Sequence, residues 1–220
     1  MSLTELEYPK GADIEARAVP TAEHYLQSSV EQESIDGSDF LITGSNVGKF
    51  ANPGSDNLIV SNLGAGDESS YFEWGDDNYT GLDLSKSWLN YSGVEFIDVA
   101  IGERFQIGTL DYYNGKYLSD TGADTVDLNL DLTLDINGTV YNPELEFSFD
   151  LINTANVEDI LDPWPDADYV SINNPTSNST VTIGDYEYEF RLEFGNSSED
   201  GFAIFDQFHV LEERGATVNT

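Results

Sequence analysis

From Thr125 to Leu134 the chain alternates polar and apolar residues without a break. Val126, Leu128, Leu130, Leu132 and Leu134 fall on one parity, and Thr125, Asp127, Asn129, Asp131 and Thr133 on the other. A period of two scatters side chains around a helix but gathers them on one face of a strand, so this segment can bury its leucines only as β-structure. The opposite face is acidic and must be wet, which points to an antiparallel sheet with one solvated side. The pattern recurs where Phe147, Phe149 and Leu151 alternate with Glu146, Ser148 and Asp150, and where Tyr186, Tyr188 and Phe190 oppose Glu187, Glu189 and Arg191. Aspartate is a poor strand residue, so Asp127, Asp131 and Asp150 are expected on the solvent side.

Turn chemistry separates these runs. Asp135-Ile136-Asn137-Gly138 is a hairpin signal, because Asn-Gly tolerates positive φ at both turn positions, while Asn114-Gly115 and Gly184-Asp185 are weaker ones. Strands are expected near residues 40–43, 58–62, 69–74, 87–91, 104–113, 125–134, 144–152, 168–172, 180–183, 186–194 and 202–211. Many short strands joined by turns predict an all-β, antiparallel β-sandwich, with a jelly roll as the expected winding. The sandwich is expected to span 37–220. Residues 1–36 read differently, being polar and poor in aromatics, with Ala22, Tyr25, Leu26, Ser29 and Val30 at helical spacing after Thr21. They are expected to form an N-terminal arm or one short helix.

Composition narrows the function classes. In 220 residues, 8 Lys and Arg against 42 Asp and Glu leave a formal charge of -34. Such a field repels phosphate backbones and anionic lipid and attracts cations, so nucleic-acid binding is not expected. No apolar run approaches the length of a membrane span, so no membrane insertion is expected. With no cysteine there is no disulfide, thiolate metal site or cysteine nucleophile. Two histidines, His24 and His209, cannot build a histidine zinc cluster. The first seven residues are acidic and do not read as a signal peptide, and no anchor signal is read at the other end. The expectation is a cytoplasmic protein or a secreted domain without its leader.

Several segments carry a family resemblance. They are Phe50-Ala-Asn-Pro53, Tyr71-Phe-Glu-Trp-Gly75, Phe105-Gln-Ile-Gly-Thr-Leu-Asp-Tyr-Tyr-Asn-Gly115, Ala123-Asp-Thr-Val-Asp-Leu128, Phe149-Asp-Leu-Ile-Asn-Thr-Ala-Asn156, Ala167-Asp-Tyr-Val170 and Phe205-Asp-Gln-Phe-His-Val-Leu-Glu212. In this order, from Gly44 to about Thr217, they resemble the choice-of-anchor K domain of bacterial surface and secreted proteins. The resemblance implies an exported all-β domain, hence a secreted or cell-surface location, and hands over no catalytic residues. No export signal or anchor is read in the terminal segments, and in this the chain is expected to depart from the family.

Strand parity organises the candidate sites. If 104–113 runs up, 125–134 runs down and 144–152 up again, so the loops 114–124 and 153–167 share one end. Counting back through 87–91, the loop 75–86 joins them. These loops hold Asp76, Asp77, Asn78, Asp120, Asp124, Asn153, Asn156, Asp159, Asp162, Asp166 and Asp168. Carboxylate and amide oxygens are ligands of Ca²⁺, which takes six to eight of them in flexible geometry. Asp and Asn also serve simply as turn formers. The expected metal ligands are Asp76, Asp77, Asp120, Asp124, Asn153, Asn156 and Asp168, with Asp206 added by analogy to jelly-roll carbohydrate modules.

Gln207-x-His209 resembles the Gln-x-His strand motif of jelly-roll alginate lyases, where Gln neutralises a uronate carboxylate and His handles a proton. Arg191 would be the anion partner. The arginine-rich strand and aromatic-Lys-Ala-Gly segment of those lyases are missing. For a sugar platform the candidates are Trp88, Tyr91, Tyr112, Tyr113 and Trp164, of which Trp164, between two prolines, and Tyr113 are expected to bind glycan. The resulting expectation is a non-enzymatic, Ca²⁺-binding β-sandwich that contacts glycan or extracellular matrix. The alternatives are a polysaccharide lyase and a structural spacer.

Overall fold

The computed structural model describes residues 41–62, 70–154, 164 and 167–220. The expected N-terminal arm or helix lies outside the described residues, as does Asn156. Among the described residues fifteen strands follow one another: β1 Leu41–Gly54, β2 Val60–Asn62, β3 Ser70–Trp74, β4 Ser87–Gly93, β5 Phe96–Ala100, β6 Gly108–Asn114, β7 Thr125–Ile136, β8 Thr139–Tyr141, β9 Glu144–Ile152, β10 Asp168–Ile172, β11 Thr176–Ile183, β12 Tyr186–Arg191, β13 Gly201–Ile204, β14 Gln207–Val210 and β15 Arg214–Asn219. There is no α-helix among the described residues.

The strands form two main antiparallel layers. A large sheet runs β13-β14-β10-β9-β7-β1-β5, with β8 paired to β7, and a five-stranded sheet runs β15-β6-β4-β3-β2. A separate two-stranded hairpin, β11-β12, lies with β11 against β9. The expected antiparallel sandwich therefore holds at the level of layers and pairing; the strand order does not by itself specify a jelly roll.

The alternation sorts as the pattern requires. Val126, Leu128, Leu130, Leu132, Leu134 and Ile136 of β7 are all buried, as are Leu145, Phe147, Phe149 and Leu151 of β9. Asp127, Asp131 and Asp150 face outward, and Ser148 donates to Asp127 across the β7–β9 pair at 2.7 Å. The five-stranded sheet answers with Phe72, Trp74, Leu89, Leu110, Tyr112 and Val218. Aromatic contacts bind the layers: Trp74 lies 6.1 Å from Tyr112, Tyr112 lies 6.4 Å from Phe208, and Phe208 lies 6.1 Å from Phe194. Rings at these spacings combine large apolar burial with favourable quadrupole geometry.

The structure corrects several strand boundaries. β1 extends through residue 54 rather than stopping at 43; the extension leaves no clear alternation in the sequence because its inward positions Asn46, Gly48 and Phe50 include only one large apolar residue. Tyr91 of the opposing sheet fills the space above Gly48, and its hydroxyl donates to Asn46 Oδ1 at 2.8 Å. The segment expected as one strand over 202–211 is two, β13 and β14, because the chain reverses at Phe205-Asp206, with Phe205 in the left-handed region at φ 38°. β6 begins at Gly108 rather than 104, and β12 ends at Arg191 rather than 194. β5, β8 and β15 were not anticipated. The Asn137-Gly138 turn does form, at φ 52° and 82°, and it joins β7 to β8.

Candidate functional site

The loop end comes first, because the parity reading rests on it. β4 pairs antiparallel with β6, and β7 with β9, so the unexpected β5, which belongs to the other sheet, leaves the count intact. The loops meet through backbone and side-chain hydrogen bonds. Leu118 N–H donates to Asp76 O at 2.9 Å, Asp76 N–H donates to Thr121 Oγ1 at 2.9 Å, and Asn153 Nδ2 donates to the Tyr117 hydroxyl at 3.0 Å. Asp124 N–H reaches Gly54 O and Leu151 N–H reaches Asp124 O, both at 2.8 Å.

Among the acidic side chains on these loops, that of Asp76 serves local structure. Asp76 Oδ1 accepts from Asn78 N–H at 2.9 Å, a two-residue Asx turn. Asp77, Asp120 and Asp124 are exposed, and Asp120 holds a left-handed φ of 64°. Among the described residues, no three acidic or histidine side chains come together in a metal-holding group. Asp206 lies away from the loop end, in the β13–β14 turn beside Ile172 at the far end of β10 from Asp168.

Asp168 is the exception in burial. It is 3% exposed, and its Oδ1 accepts from Thr154 N–H at 2.8 Å and from Thr154 Oγ1 at 3.1 Å. Burial pushes its carboxyl up to about 6, although both Thr154 bonds favour the ionised form. Burial also raises the nearby Tyr112 and Tyr117 hydroxyls, and the Asp168 charge adds to that. The Trp74 indole Nε1 is buried and has no hydrogen-bond partner among the described residues.

A second arrangement lies on the outer face of the five-stranded sheet. Phe72 and Trp74 point inward on β3, so Tyr71 and Glu73 point outward, and the same alternation turns Trp88, Asn90, Asp111 and Tyr113 out from β4 and β6. Register then sets the rings in a row. Tyr71 and Trp88 have centroids 5.8 Å apart at 33°, and Trp88 and Tyr113 are 5.9 Å apart at 10°. All three rings are partly exposed.

Polar groups beside the row are held in place. The Tyr71 hydroxyl donates to Glu73 Oε2 at 2.8 Å, and Lys86 Nζ lies 3.4 Å from Glu73 Oε1. Asn90 Nδ2 donates to Asp111 Oδ2 at 3.2 Å, while Thr217 Oγ1 donates to Asp111 Oδ1. Burial first, and then Glu73, raises the Tyr71 hydroxyl, which stays a proton donor.

Of the aromatic candidates, Tyr113 and Trp88 belong to this row. Tyr91 and Tyr112 are core residues. Tyr71 was missed, although the spacing of Phe72 and Trp74 carried its signal: two inward aromatics two residues apart turn the residue before them outward. Trp164 is 37% exposed and sits elsewhere, 6.1 Å from Phe202. That group continues along the outer face of the large sheet to His209, which stacks on Tyr169 at 4.5 Å.

Gln207 and His209 share a face as expected, with His209 Nε2 3.2 Å from Gln207 Oε1, and burial lowers the imidazole's affinity for a proton. Arg191 does not join them. β12 pairs with β11 and β14 with β10 and β13, and Arg191 Nε is held by Glu193 Oε1 at 2.9 Å. The lyase alternative needed these strands side by side, and they are not paired. Compared with known proteins, the chain matches no protein-family model, and no curated protein matches it.

Proposed function

We propose that the protein is a non-enzymatic binding module whose outer five-stranded face takes up a neutral glycan. The observation that carries this reading is the row Tyr71, Trp88 and Tyr113 across three neighbouring strands. The C–H face of a pyranose is apolar and its rim is hydroxylated. A row of rings flanked by prearranged carboxylate, amide and ammonium groups matches both features, and groups already held in position reduce the ordering cost of binding. Glu73, Asp111 and the overall charge of -34 disfavour an anionic polysaccharide, so the glycan is neutral.

Ca²⁺ at the loop end is the second part of the proposal. What supports it is the meeting of the loops that bear Asp76, Asp120, Asp124 and Asn153, within a strongly cation-attracting chain. A secreted or cell-surface setting, and kinship with choice-of-anchor K domains, belong to the same proposal on the sequence resemblance. The deciding experiment is affinity electrophoresis and calorimetry against neutral polysaccharides. Retardation that Trp88→Ala abolishes supports the reading. Wild-type mobility unchanged on every gel sinks it, and release of unsaturated ends that His209→Ala prevents would favour the lyase.

A further inference from the structure

Strand register turns the outer face of the five-stranded sheet into a grid whose rows cross the strands. Glu73, Trp88, Tyr113 and Gly215 stand opposite one another on β3, β4, β6 and β15. The row beside them is Tyr71, Asn90, Asp111 and Thr217. Tyr71 reaches Trp88 diagonally between the rows, with 5.8 Å between ring centres. Along each strand a ring has a polar outward neighbour two residues away: Glu73 for Tyr71, Asn90 for Trp88 and Asp111 for Tyr113. A ligand that touches more than one ring must therefore cross the strands.

Neighbouring strands lie about 4.8 Å apart, and the ring centres follow at 5.8 and 5.9 Å. This is the scale of one pyranose in an extended chain, so consecutive sugars can sit on consecutive rings. The ring planes turn by only 33° and 10° from one to the next, which suits a straight polymer. Equatorial β-1,4 bonds keep a chain straight, whereas axial α-1,4 bonds wind it into a helix that lifts off the row. In a straight β-1,4 chain, successive units turn opposite faces to the same side. Every ring then meets an apolar face only if both faces of the sugar are apolar, which requires all hydroxyls to be equatorial, as in glucose and xylose. The axial 2-hydroxyl of mannose would be pressed against a ring without a partner, at a desolvation cost.

The second row serves the hydroxylated rim. Asp111 accepts from Asn90 Nδ2 at 3.2 Å and from Thr217 Oγ1, which fixes all three side chains beside the rings. A carboxylate offers about four lone-pair positions, so acceptors remain for sugar hydroxyls. At the β3 end Lys86 is tied to Glu73 at 3.4 Å and does not call for an acidic sugar. At the other end the first row runs out over the exposed Gly215. A Cβ there would lie 3.6 Å from Tyr113 Cδ2, an ordinary contact, so a larger residue fits but stands in the path beyond Tyr113.

Resting on the glycan reading above, we propose that this face binds an extended β-1,4-linked glycan of all-equatorial pyranoses, of glucose or xylose type. The chain lies across the strands from Tyr71 over Trp88 and Tyr113 to a fourth unit above Gly215.

The test is calorimetry of wild-type protein with cellotetraose, xylotetraose, mannotetraose and maltotetraose, and with a length series of the tightest binder. Cellotetraose or xylotetraose is expected to bind at least tenfold tighter than the other two, with affinity rising up to the tetramer and level beyond it. Gly215→Val should weaken the tetramer at least tenfold, leave the trimer unchanged and unfold as wild type does. Phe202→Ser, on the outer face of the other sheet, should leave binding unchanged. Should Gly215→Val not fold, NMR of the wild type with the tetramer decides: amide shifts at Trp88, Tyr113 and Gly215 support the path, and shifts confined to one strand overturn it. Mannotetraose or maltotetraose binding equally well, in a manner that Trp88→Ala abolishes, overturns this inference while the glycan reading stands. A length dependence that Gly215→Val leaves intact overturns the fourth unit. Binding of no neutral glycan removes both the reading and the inference.

Discussion

Trp88 and Tyr113 stand opposite each other on β4 and β6, their ring centres 5.9 Å apart and their planes within 10° of parallel. Tyr71 extends the row on the other side of Trp88. The central ring is therefore the one whose loss breaks the row into two isolated tyrosines.

Trp88→Ala should abolish retardation on a retaining neutral glycan, and Tyr113→Ala should weaken it about tenfold, roughly 1.4 kcal/mol. Each substitution also removes a ring–ring contact worth about 0.5–1.5 kcal/mol, so a modest loss of stability is expected alongside. Calorimetric affinity and thermal unfolding measured on the same samples separate the two effects. Equal retardation of wild type and Trp88→Ala would locate binding elsewhere.

Micromolar-to-millimolar Ca²⁺ at constant high NaCl should raise the melting temperature, because a ligand of the folded state alone stabilises it by mass action. The NaCl background removes general screening of the acidic surface as an explanation. Asp124→Ala and Asn153→Ala should weaken the response, while Asn137→Ala, at the opposite hairpin, should not. A flat melting temperature across the Ca²⁺ series counts against a specific ion.

Asp168 makes stability depend on pH in a definite direction. Its folded-state value, about 6, lies above the ordinary carboxyl value of 3.8, so the fold favours the protonated form. The contribution is complete below the unfolded value and is lost as pH climbs through about 6. At 1.36 kcal/mol per pH unit, the loss at neutral pH is roughly 3 kcal/mol. Asp168→Asn keeps an acceptor for Thr154 and removes the titration. It should unfold several degrees above wild type at pH 7.5 and close to it at pH 4. Chemical denaturation at both values provides the measurement, and a wild-type-minus-variant difference independent of pH refutes the assignment.

Gly48→Ala should destabilise by about 1–3 kcal/mol, the usual cost of overpacking. An added methyl would run into the Tyr91 ring and come within 2.9 Å of Leu130 Cδ2. Displacing Tyr91 would also disturb its hydrogen bond to the buried Asn46. The midpoint of urea unfolding reports the effect, and an unchanged midpoint would mean that the layers separate easily at this point.

The alternation at 125–134 and 144–152 determined that the protein is β, which face of each strand is wet, and where the leucines go, because side-chain direction in a strand is a local property. Parity along the chain was enough to bring the loops of Asp76, Asp124 and Asn153 to one end, since antiparallel neighbours simply reverse direction. It could not say that Asp76 would fold back on Asn78 or that Asp168 would be engaged by Thr154, because those partnerships depend on loop geometry. Nor could it extend β1 past residue 43. Asn46 and Gly48 are inward residues only because Tyr91, more than forty positions later, supplies the bulk they lack. Tertiary structure alone decided that Trp88 and Tyr113 stand in register, with Tyr71 diagonal to Trp88. The reason is that strand register is set by contacts between distant segments and leaves no periodic trace in either.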